Sequence, residues 1–186
     1  MAQAEEGVLK IERIPTNIVE LIQRVGTHIE PQAAQKEIDL EFDLEVEHLL
    51  QLDPVRIEQV VFNLIDNAIR YTKAGGQVRV TVVETRGILE IQVTDNGIGI
   101  SETDLPHIWE RFYRAEKSRS RTAGGSGLGL PIVKRIVELL GGTVQAQSTP
   151  GKGTSIRLRM PAVHAKDLLK RNEKHGNSID SKEERE

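Results

Sequence analysis

Two asparagines four residues apart, Asn63 and Asn67, are the side chains in this sequence whose type and spacing most strongly suggest chemistry. At about 100° per residue, Asn63, Asn67 and Arg70 form one stripe of a predicted helix, with Tyr71 at its edge. The amide oxygens could help to hold a hard divalent cation whose other ligands are phosphate oxygens and water, and Arg70 could add positive charge beside the same phosphates. The simpler interpretation is that both asparagines face water.

The segment around these asparagines has the features of an amphipathic helix. Asp53 is a good N-cap, and Pro54 suits a first helical position. The helix is predicted to end near the glycines Gly75 and Gly76. The residues expected to face a core are Ile57, Val60, Val61, Leu64, Ile65 and Ala68. Since the asparagines lie beside this buried stripe, the helix would hold them at a fixed position.

A second motif, Asp95-Asn96-Gly97-Ile98-Gly99-Ile100, directly follows a predicted strand. An aspartate at a strand end is commonly only a turn residue. Here two glycines would let the backbone approach a flat ligand. A carboxylate, which only accepts hydrogen bonds, could take the exocyclic amine of adenine and discriminate against guanine, which has an oxygen there.

A third motif is the glycine cluster formed by Gly125, Gly127 and Gly129. A dinucleotide fingerprint requires a strand immediately before the glycines, and residues 118–122 are not a strand pattern. The segment 151–154 lacks the order of a Walker loop. What remains is a glycine-rich turn that directs backbone N–H groups at an anion from the start of a helix.

Between the two glycine motifs, residues 111–121 carry five arginines and lysines. Such a segment is most often a solvated loop. Because glycines bound it on both sides, residues 101–124 could instead form a mobile lid over phosphates. Phe112 and Tyr113 are predicted to anchor this lid by packing.

Composition limits the alternatives. The chain has 186 residues, of which 38% are hydrophobic and only 3% aromatic, so we expect one domain with an aliphatic core. A net charge of −3 offers no bulk attraction to nucleic acid or to an anionic membrane. The absence of cysteine excludes disulfides and cysteine-based sites and fits the cytosol. We find no signal peptide and no apolar run of membrane-spanning length.

The predicted elements indicate an α+β fold, a two-layer sandwich with about three helices on one face of a mixed, mostly antiparallel sheet. Besides the asparagine-bearing helix, we expect a helix that follows a Thr16 cap and is irregular at Pro31. A third helix follows Gly129. The predicted strands cover residues 8–13, 38–42, 49–52, 77–84, 88–94, 143–147 and 154–160. Residues 1–7 are interpreted as the remnant of an upstream segment, 8–161 as the domain, and 162–186 as a polar, disordered tail.

Taken in order, five segments resemble the N, G1, F, G2 and G3 boxes of the catalytic, ATP-binding domain of bacterial sensor histidine kinases. They are residues 63–72, 95–100, 110–114, 125–130 and 151–154. The resemblance covers residues 8–161 and implies the ATP-binding sandwich (Bergerat fold) shared with Hsp90 chaperones and MutL-type repair proteins.

The resemblance also implies a role for each matched residue. Asn63 and Asn67 would hold Mg²⁺, and Arg114 would reach the transferring phosphoryl group. Arg70 would contact phosphates where the family usually has lysine, which keeps the charge but changes the geometry. Thr154 would support Asp95 on the adenine, with or without a bridging water. The residues expected to contact ATP are Asn63, Asn67, Arg70, Tyr71, Asp95, Gly97, Gly99, Ile100, Gly125, Gly127, Leu128, Gly129, Leu130 and Thr154.

One position favours a kinase over a hydrolase. The related ATPases carry a glutamate one turn before the Mg²⁺-binding asparagine, where it activates water. This chain has Asn63 there, which cannot take a proton at neutral pH. The γ-phosphoryl group would then be kept for a histidine nucleophile.

The family's acceptor histidine lies in a characteristic motif on a separate dimerising hairpin, and none of the five histidines here fits that motif. We therefore expect a monomeric, cytoplasmic kinase domain that does not phosphorylate itself. Its partners would be a histidine-bearing dimerisation domain and, indirectly, a response regulator, with no nucleic acid. Two alternatives stay open: a serine kinase of the anti-sigma type, and a non-catalytic module that holds nucleotide to regulate a partner.

Overall fold

The computed structural model describes residues 10–115 and 126–166. The seven strands found there are β1 (Ile14–Thr16), β2 (Asp39–Glu45), β3 (Leu50–Leu52), β4 (Gln77–Thr85), β5 (Ile88–Asp95), β6 (Thr143–Thr149) and β7 (Gly153–Pro161). The helices are α1 (Ile18–Gln35), α2 (Pro54–Tyr71) and α3 (Gly129–Leu139), with a 3₁₀ helix at Leu105–Trp109.

Five strands form one sheet in the order β2-β4-β5-β7-β6. Only the β2–β4 pairing is parallel, and the other three are antiparallel. β1 and β3 form a separate antiparallel pair. In the β5–β7 register Asp95 lies opposite Thr154, which brings the ends of two predicted motifs together. The predicted α+β class with a mixed, mostly antiparallel sheet is confirmed.

The core lies between one face of this sheet and the helices. Alternate residues of the two central strands are buried: Val78, Val80 and Val82 on β4, and Leu89, Ile91 and Val93 on β5. All six residues predicted for the buried stripe of α2 are buried as well. Period-two and helical apolar patterns thus meet in one aliphatic layer.

The N-terminus of α2 is fixed as predicted. One carboxylate oxygen of Asp53 accepts a hydrogen bond from the N–H of Arg56 at 3.0 Å, which caps the helix. The other accepts one from the N–H of Glu12 at 2.9 Å. Pro54 occupies the first helical position, where no N–H is needed.

The C-terminus of α2 is held by Lys36, the residue that caps the C-terminus of α1. The Nζ of Lys36 donates to the carbonyl oxygens of Ile69 at 2.8 Å and Arg70 at 2.7 Å. These last-turn carbonyls lack intrahelical partners and carry the negative end of the helix dipole. Burial lowers the pKa of Lys36 from its ordinary value, and the charge of Arg70 lowers it further. The helix that carries the two asparagines is therefore restrained at both ends.

Three local predictions near the N-terminus are wrong. Asn17, not Thr16, caps α1, because its side-chain oxygen accepts from Val19 and Glu20, whereas the Thr16 hydroxyl contacts the carbonyl oxygens of Ile14 and Leu52. Residues 10–13 are not a strand, and the rest of that predicted strand lies outside the described residues. Pro31 does not interrupt α1, in which it occupies an exposed position.

After β7 the chain continues along the β1–β3 pair. Val163 accepts a hydrogen bond from Gln51, and His164 forms a bridge with Leu50. Residues 1–9, 116–125 and 167–186 lie outside the described residues, and most of the predicted tail is among them. In the described part of the chain, no helix combines the length and apolar character needed to cross a membrane.

The contacts of Lys36 predict a measurable contribution to stability. Lys36→Met should lower the free energy of unfolding by about 1–3 kcal/mol, since two partly buried carbonyls lose a charged donor. Urea denaturation would measure this. Lys134→Met is the control, because Lys134 lies 4.0 Å from Glu138 on an exposed surface and should contribute little. Equal losses in both variants would contradict the proposed restraint.

Candidate functional site

The carboxylate of Asp95 is fixed by backbone N–H groups from both sides. Its Oδ1 atom accepts hydrogen bonds from the N–H of Gly97 at 2.8 Å and of Thr154 at 3.2 Å. Burial raises the pKa of Asp95, and these two hydrogen bonds oppose that rise. Both hydrogen bonds from described residues use Oδ1, so Oδ2 is available as an acceptor for a ligand.

Ser148 on β6 organises the same region and was not anticipated from the sequence. Its Oγ accepts from the N–H of Ile100 at 2.8 Å and donates to the carbonyl oxygen of Gly153 at 2.8 Å. It also lies 2.9 Å from the hydroxyl of Thr154. Ser148 lies at one of the half-buried positions that alternate with exposed ones along β6. A polar residue at a position where the alternation predicts an apolar one could have indicated its role.

Two glycines let these loops approach one another. Gly99 has φ +67°, and a Cβ there would overlap the carbonyl oxygen of Thr149. Gly153 has φ +107°, and a Cβ there would overlap the carbonyl oxygen of Asp95. Both positions therefore require glycine for conformation and for space.

The end of α2 is bonded to the first glycine loop. The carbonyl oxygen of Tyr71 accepts a hydrogen bond from the N–H of Ile98 at 3.1 Å. A Cβ on Gly97 would overlap the same carbonyl oxygen. The backbone of Tyr71 is thus in contact with the loop that carries Asp95, as the order of the motifs requires.

The middle of α2 faces the second glycine loop. The Oδ1 of Asn63 lies 3.7 Å from the position that a Cβ of Gly129 would take, at the first residue of α3. Asn67 is half-buried one turn further along α2, toward Tyr71. The helix therefore runs from the start of α3 to the Asp95 loop, with both asparagines between these contacts.

The side chain of Arg70 is oriented by a carboxylate on its own helix. One Nη atom lies 2.8 Å from Oδ2 of Asp66. The other oxygen of Asp66 accepts from the side-chain amide of Gln32 on α1 at 2.9 Å. Asp66 and Gln32 were not anticipated, because nothing in the spacing distinguishes them from surface residues.

The described part of the predicted lid is anchored differently from the prediction. Tyr113 donates from its hydroxyl to Oδ1 of Asp104 at 2.5 Å, but the side chain of Phe112 is 71% exposed. The prediction that Phe112 packs as an anchor is wrong, because the backbone there turns with φ +65°. Its N–H instead donates to the carbonyl oxygen of Gly127 at 3.0 Å. Arg114 follows and is half-buried.

The second glycine loop is described from residue 126 onward. Gly127 has φ +70° and packs against the backbone of Phe112 and Tyr113. Leu128 and Leu130 flank Gly129 at the start of α3 and are half-buried. Residues 116–125, which include Gly125 and most of the basic segment, lie outside the described residues, so the structure does not test their predicted roles.

The oxygen atoms of these side chains suit a cation that takes its remaining ligands from a bound anion. The described residues contain no group of three histidine, cysteine or acidic side chains that could hold a metal ion. Two amide oxygens on one helix turn are too few ligands for Mg²⁺ alone and match a site completed by phosphate oxygens and water. The chemistry of the side chains thus fits a nucleotide with Mg²⁺.

The model of the family described as "Histidine kinase-, DNA gyrase B-, and HSP90-like ATPase" matches residues 52–164. Because that segment is more than half of the chain, the protein belongs to this ATPase family.

Within this family, the curated relatives are bacterial sensor kinases. The chain is 37% identical over 168 residues to the sensor protein GacS of Pseudomonas syringae pv. syringae, covering 86% of this chain and 18% of GacS. It is 36% identical over 154 residues to the sensor histidine kinase YclK of Bacillus subtilis (strain 168), covering 82% and 32% respectively.

Solved structures agree with these relatives. The full-length ShkA structure in complex with AMPPNP superposes with a TM-score of 0.75 at 26% identity, covering 86% of this chain and 33% of ShkA. The histidine kinase ThkA in complex with the response regulator TrrA gives a TM-score of 0.68 at 26% identity, covering 81% and 42%. The resemblance to the ATP-binding domain of sensor histidine kinases is confirmed, and the chain spans about a third or less of the curated relatives' length.

The approach of Gly153 to Asp95 predicts a position-specific defect. Gly153→Ala should destabilise the domain by about 2–5 kcal/mol, from left-handed backbone strain plus the overlap with the Asp95 carbonyl. Gly151→Ala is the matched control, since Gly151 also has positive φ (+77°) but no atom within 4 Å of a Cβ. It should cost only about 1–2 kcal/mol. Equal midpoint shifts in denaturant unfolding would show that the close approach has no energetic role.

Proposed function

We propose that this domain binds ATP with Mg²⁺ and donates the γ-phosphoryl group to a histidine on a separate dimerisation domain, for relay to a response regulator. The supporting observation is the alignment of Asn63, Tyr71 and Asp95 along one path from the start of α3 to the glycine loop of β5. The domain would extend over residues 8–161 and act in the cytoplasm, within a longer parent protein.

The adenine would be read by Asp95. Its Oδ1 is engaged by the N–H groups of Gly97 and Thr154, so Oδ2 would accept from the exocyclic amine. Guanine presents an oxygen at that place, and two acceptors facing each other are unfavourable. Ser148 would keep the Ile100 and Thr154 segments in position around the base. Gly97, Gly99 and Ile100 would supply the backbone beside it.

The phosphates would lie between α2 and the start of α3. Asn63 and Asn67 would hold Mg²⁺, which supplies charge neutralisation on the phosphate oxygens when bound. The backbone N–H groups of the second glycine loop would bind phosphate at the positive end of α3. The residues assigned to this loop are Gly125, Gly127, Leu128, Gly129 and Leu130.

Two arginines and a tyrosine would complete the site. Tyr71 would flank the nucleotide at the end of α2. Arg70, oriented by Asp66, would place its guanidinium toward the phosphates, and Arg114 would reach the transferring group from the lid. In phosphoryl transfer the protein contributes mainly position and charge, which these groups can supply.

The acceptor would be a histidine of another domain. Asn63 occupies the helix position one turn before Asn67, and a carboxamide cannot deprotonate water, so hydrolysis would be slow. A neutral imidazole needs no such base. Two of this chain's described histidines are instead engaged with carboxylates: His107 contacts Glu110 at 2.7 Å, and His164 contacts Glu84 at 3.1 Å. The relatives named sensor histidine kinases, and ThkA solved with a response regulator, support this class of acceptor and relay.

Replacement of Asp95 should abolish base recognition. Asp95→Asn puts an NH₂ group either against the two backbone N–H donors or against the adenine amine, so ATP affinity should fall about 10–100-fold. Because burial raises the pKa of Asp95, affinity in the parent chain should also fall on acidification at a higher pH than for an exposed aspartate. Calorimetric titration across pH tests both. An affinity for ATP unchanged in Asp95→Asn would exclude this base contact.

Replacement of Asn67 should act on the metal. Asn67→Ala removes one amide ligand, so the gain in ATP affinity on adding Mg²⁺ should shrink, while binding of adenosine without phosphates should stay unchanged. The same calorimetry with and without Mg²⁺ measures this. If ATP affinity in the variant keeps its full dependence on Mg²⁺, Asn67 is not a ligand.

Phosphoryl transfer separates the proposal from its alternatives. With γ-labelled ATP, the chain alone should remain unlabelled, and a cognate dimerisation domain added in trans should become labelled. Phosphohistidine is lost in acid, whereas phosphoserine survives it. Acid-stable label on a partner protein would indicate a serine kinase, and tight ATP binding with no acceptor labelled would indicate a non-catalytic module.

A further inference from the structure

A second surface of the domain has features that nucleotide binding does not use. Strand β2 lies at one edge of the sheet, and among the described residues it pairs with β4 alone. The backbone groups on its other side are available for hydrogen bonds to an additional strand. The strand is seven residues long, which is enough to template a partner segment.

The side chains of β2 alternate without exception between acidic and apolar. The acidic residues are Asp39, Glu41, Asp43 and Glu45, and the apolar residues are Leu40, Phe42 and Leu44. The apolar residues point toward the helices, so the carboxylates form a row on the open face of the sheet. Glu41 pairs with Arg79 at 2.7 Å, and Asp43 and Glu45 are exposed.

Beneath the apolar side of β2 there is a groove against α1. Its volume is about 730 Å³, and its lining residues come from α1, β2 and the segment between them. The groove has a mixed lining of eight apolar or glycine residues and four polar ones. The apolar side includes Leu40, Phe42 and Leu44 of β2, and the polar residues are Gln23, Thr27, Glu30 and Asp39. Phe42 remains 37% exposed there, although its ring packs on Gly26. The edge of the sheet therefore combines backbone groups that no described strand pairs, a groove of mixed lining that includes the exposed side chain of Phe42, and a carboxylate row.

We propose that the α1–β2 groove binds an extended segment of a partner protein in which apolar residues alternate with lysine or arginine. Added as a strand to β2, such a segment would direct its apolar side chains into the groove and its cations toward the acidic row. Opposite charges on adjacent strands stabilise the pairing. A partner segment with this alternation would therefore make backbone hydrogen bonds to β2, apolar contacts in the groove and ion pairs with the carboxylates at the same time.

Other occupants fit less well. A second copy of this chain pairing through β2 would place carboxylates opposite carboxylates, which destabilises a pair of strands. Anionic surfaces such as nucleic acid or acidic membranes are repelled by the row. Charged residues can also serve only to protect a sheet edge from unwanted pairing. Edge protection explains the carboxylates but not the groove behind them, in which Phe42 is left 37% exposed.

The test uses the whole chain and a fluorescent peptide of nine alternating lysine and valine residues with blocked ends. Two further peptides carry N-methyl groups on alternate residues. In one peptide the methyl groups block the first hydrogen-bonding edge of the strand, and in the other they block the opposite edge. Strand addition uses one edge of the peptide, so one methylated peptide should bind at least about tenfold more weakly than the other. Binding is read by anisotropy, and hydrogen exchange should show new protection on β2.

Variants of the protein provide the matched comparison. Asp43→Lys should weaken peptide binding about tenfold, whereas Glu138→Lys, with the same change in net charge on exposed α3, should have little effect. Retained cooperative unfolding verifies that both variants fold. Failure of the peptide to bind below about 1 mM would overturn the proposal and leave edge protection as the function of the row. So would equal effects of the two variants, equal binding of the two methylated peptides, or self-association of the chain through β2.

Discussion

The hydrogen bonds that Asp95 accepts from Gly97 and Thr154 are the constraint on which the rest of the site depends. They join the end of β5 to the loop that follows it and to the start of β7. A buried carboxylate is costly unless it is hydrogen-bonded, and here backbone N–H groups provide the bonds. The same loop is bonded to the end of α2 through the carbonyl of Tyr71, so the residues proposed to bind the base and those proposed to bind the phosphates belong to one hydrogen-bonded framework.

Two side chains that are not proposed to contact the nucleotide, Ser148 and Asp66, determine much of the geometry of the site. Ser148 connects the segments of Ile100, Gly153 and Thr154 through one hydroxyl. Asp66 orients Arg70, the residue at which this chain differs from the usual lysine. A guanidinium has a fixed fork of donors, so with one Nη atom on Asp66 the other donors would face a phosphate in the proposed role of Arg70.

The sequence predicted the fold class, the three helices and the order of the motifs because each depends on local periodicity or on turn residues. It selected Asn63, Asn67 and Asp95 as candidate site residues because asparagine is unusual in a helix interior and Asp95 directly follows a strand. Ser148, Asp66 and Lys36 could not be found in this way, since their partners are remote in sequence and only the packed sheet and helices bring them together. The predictions for Thr16 and Phe112 were wrong for another reason. The adjacent residue Asn17 caps α1 in place of Thr16, and Phe112 is held by its backbone N–H and not by its side chain.

Helix α1 has a mechanical consequence for the site. Gln32 lies in the last turn of α1 and contacts Asp66. Lys36, the C-cap of α1, contacts the carbonyls of Ile69 and Arg70. These two contacts fasten α1 to the last turns of α2 at separate points, which opposes both sliding and rotation between the helices. Since Asp66 also holds the guanidinium of Arg70, a displacement of α1 along α2 would act on that side chain through Gln32 and Asp66.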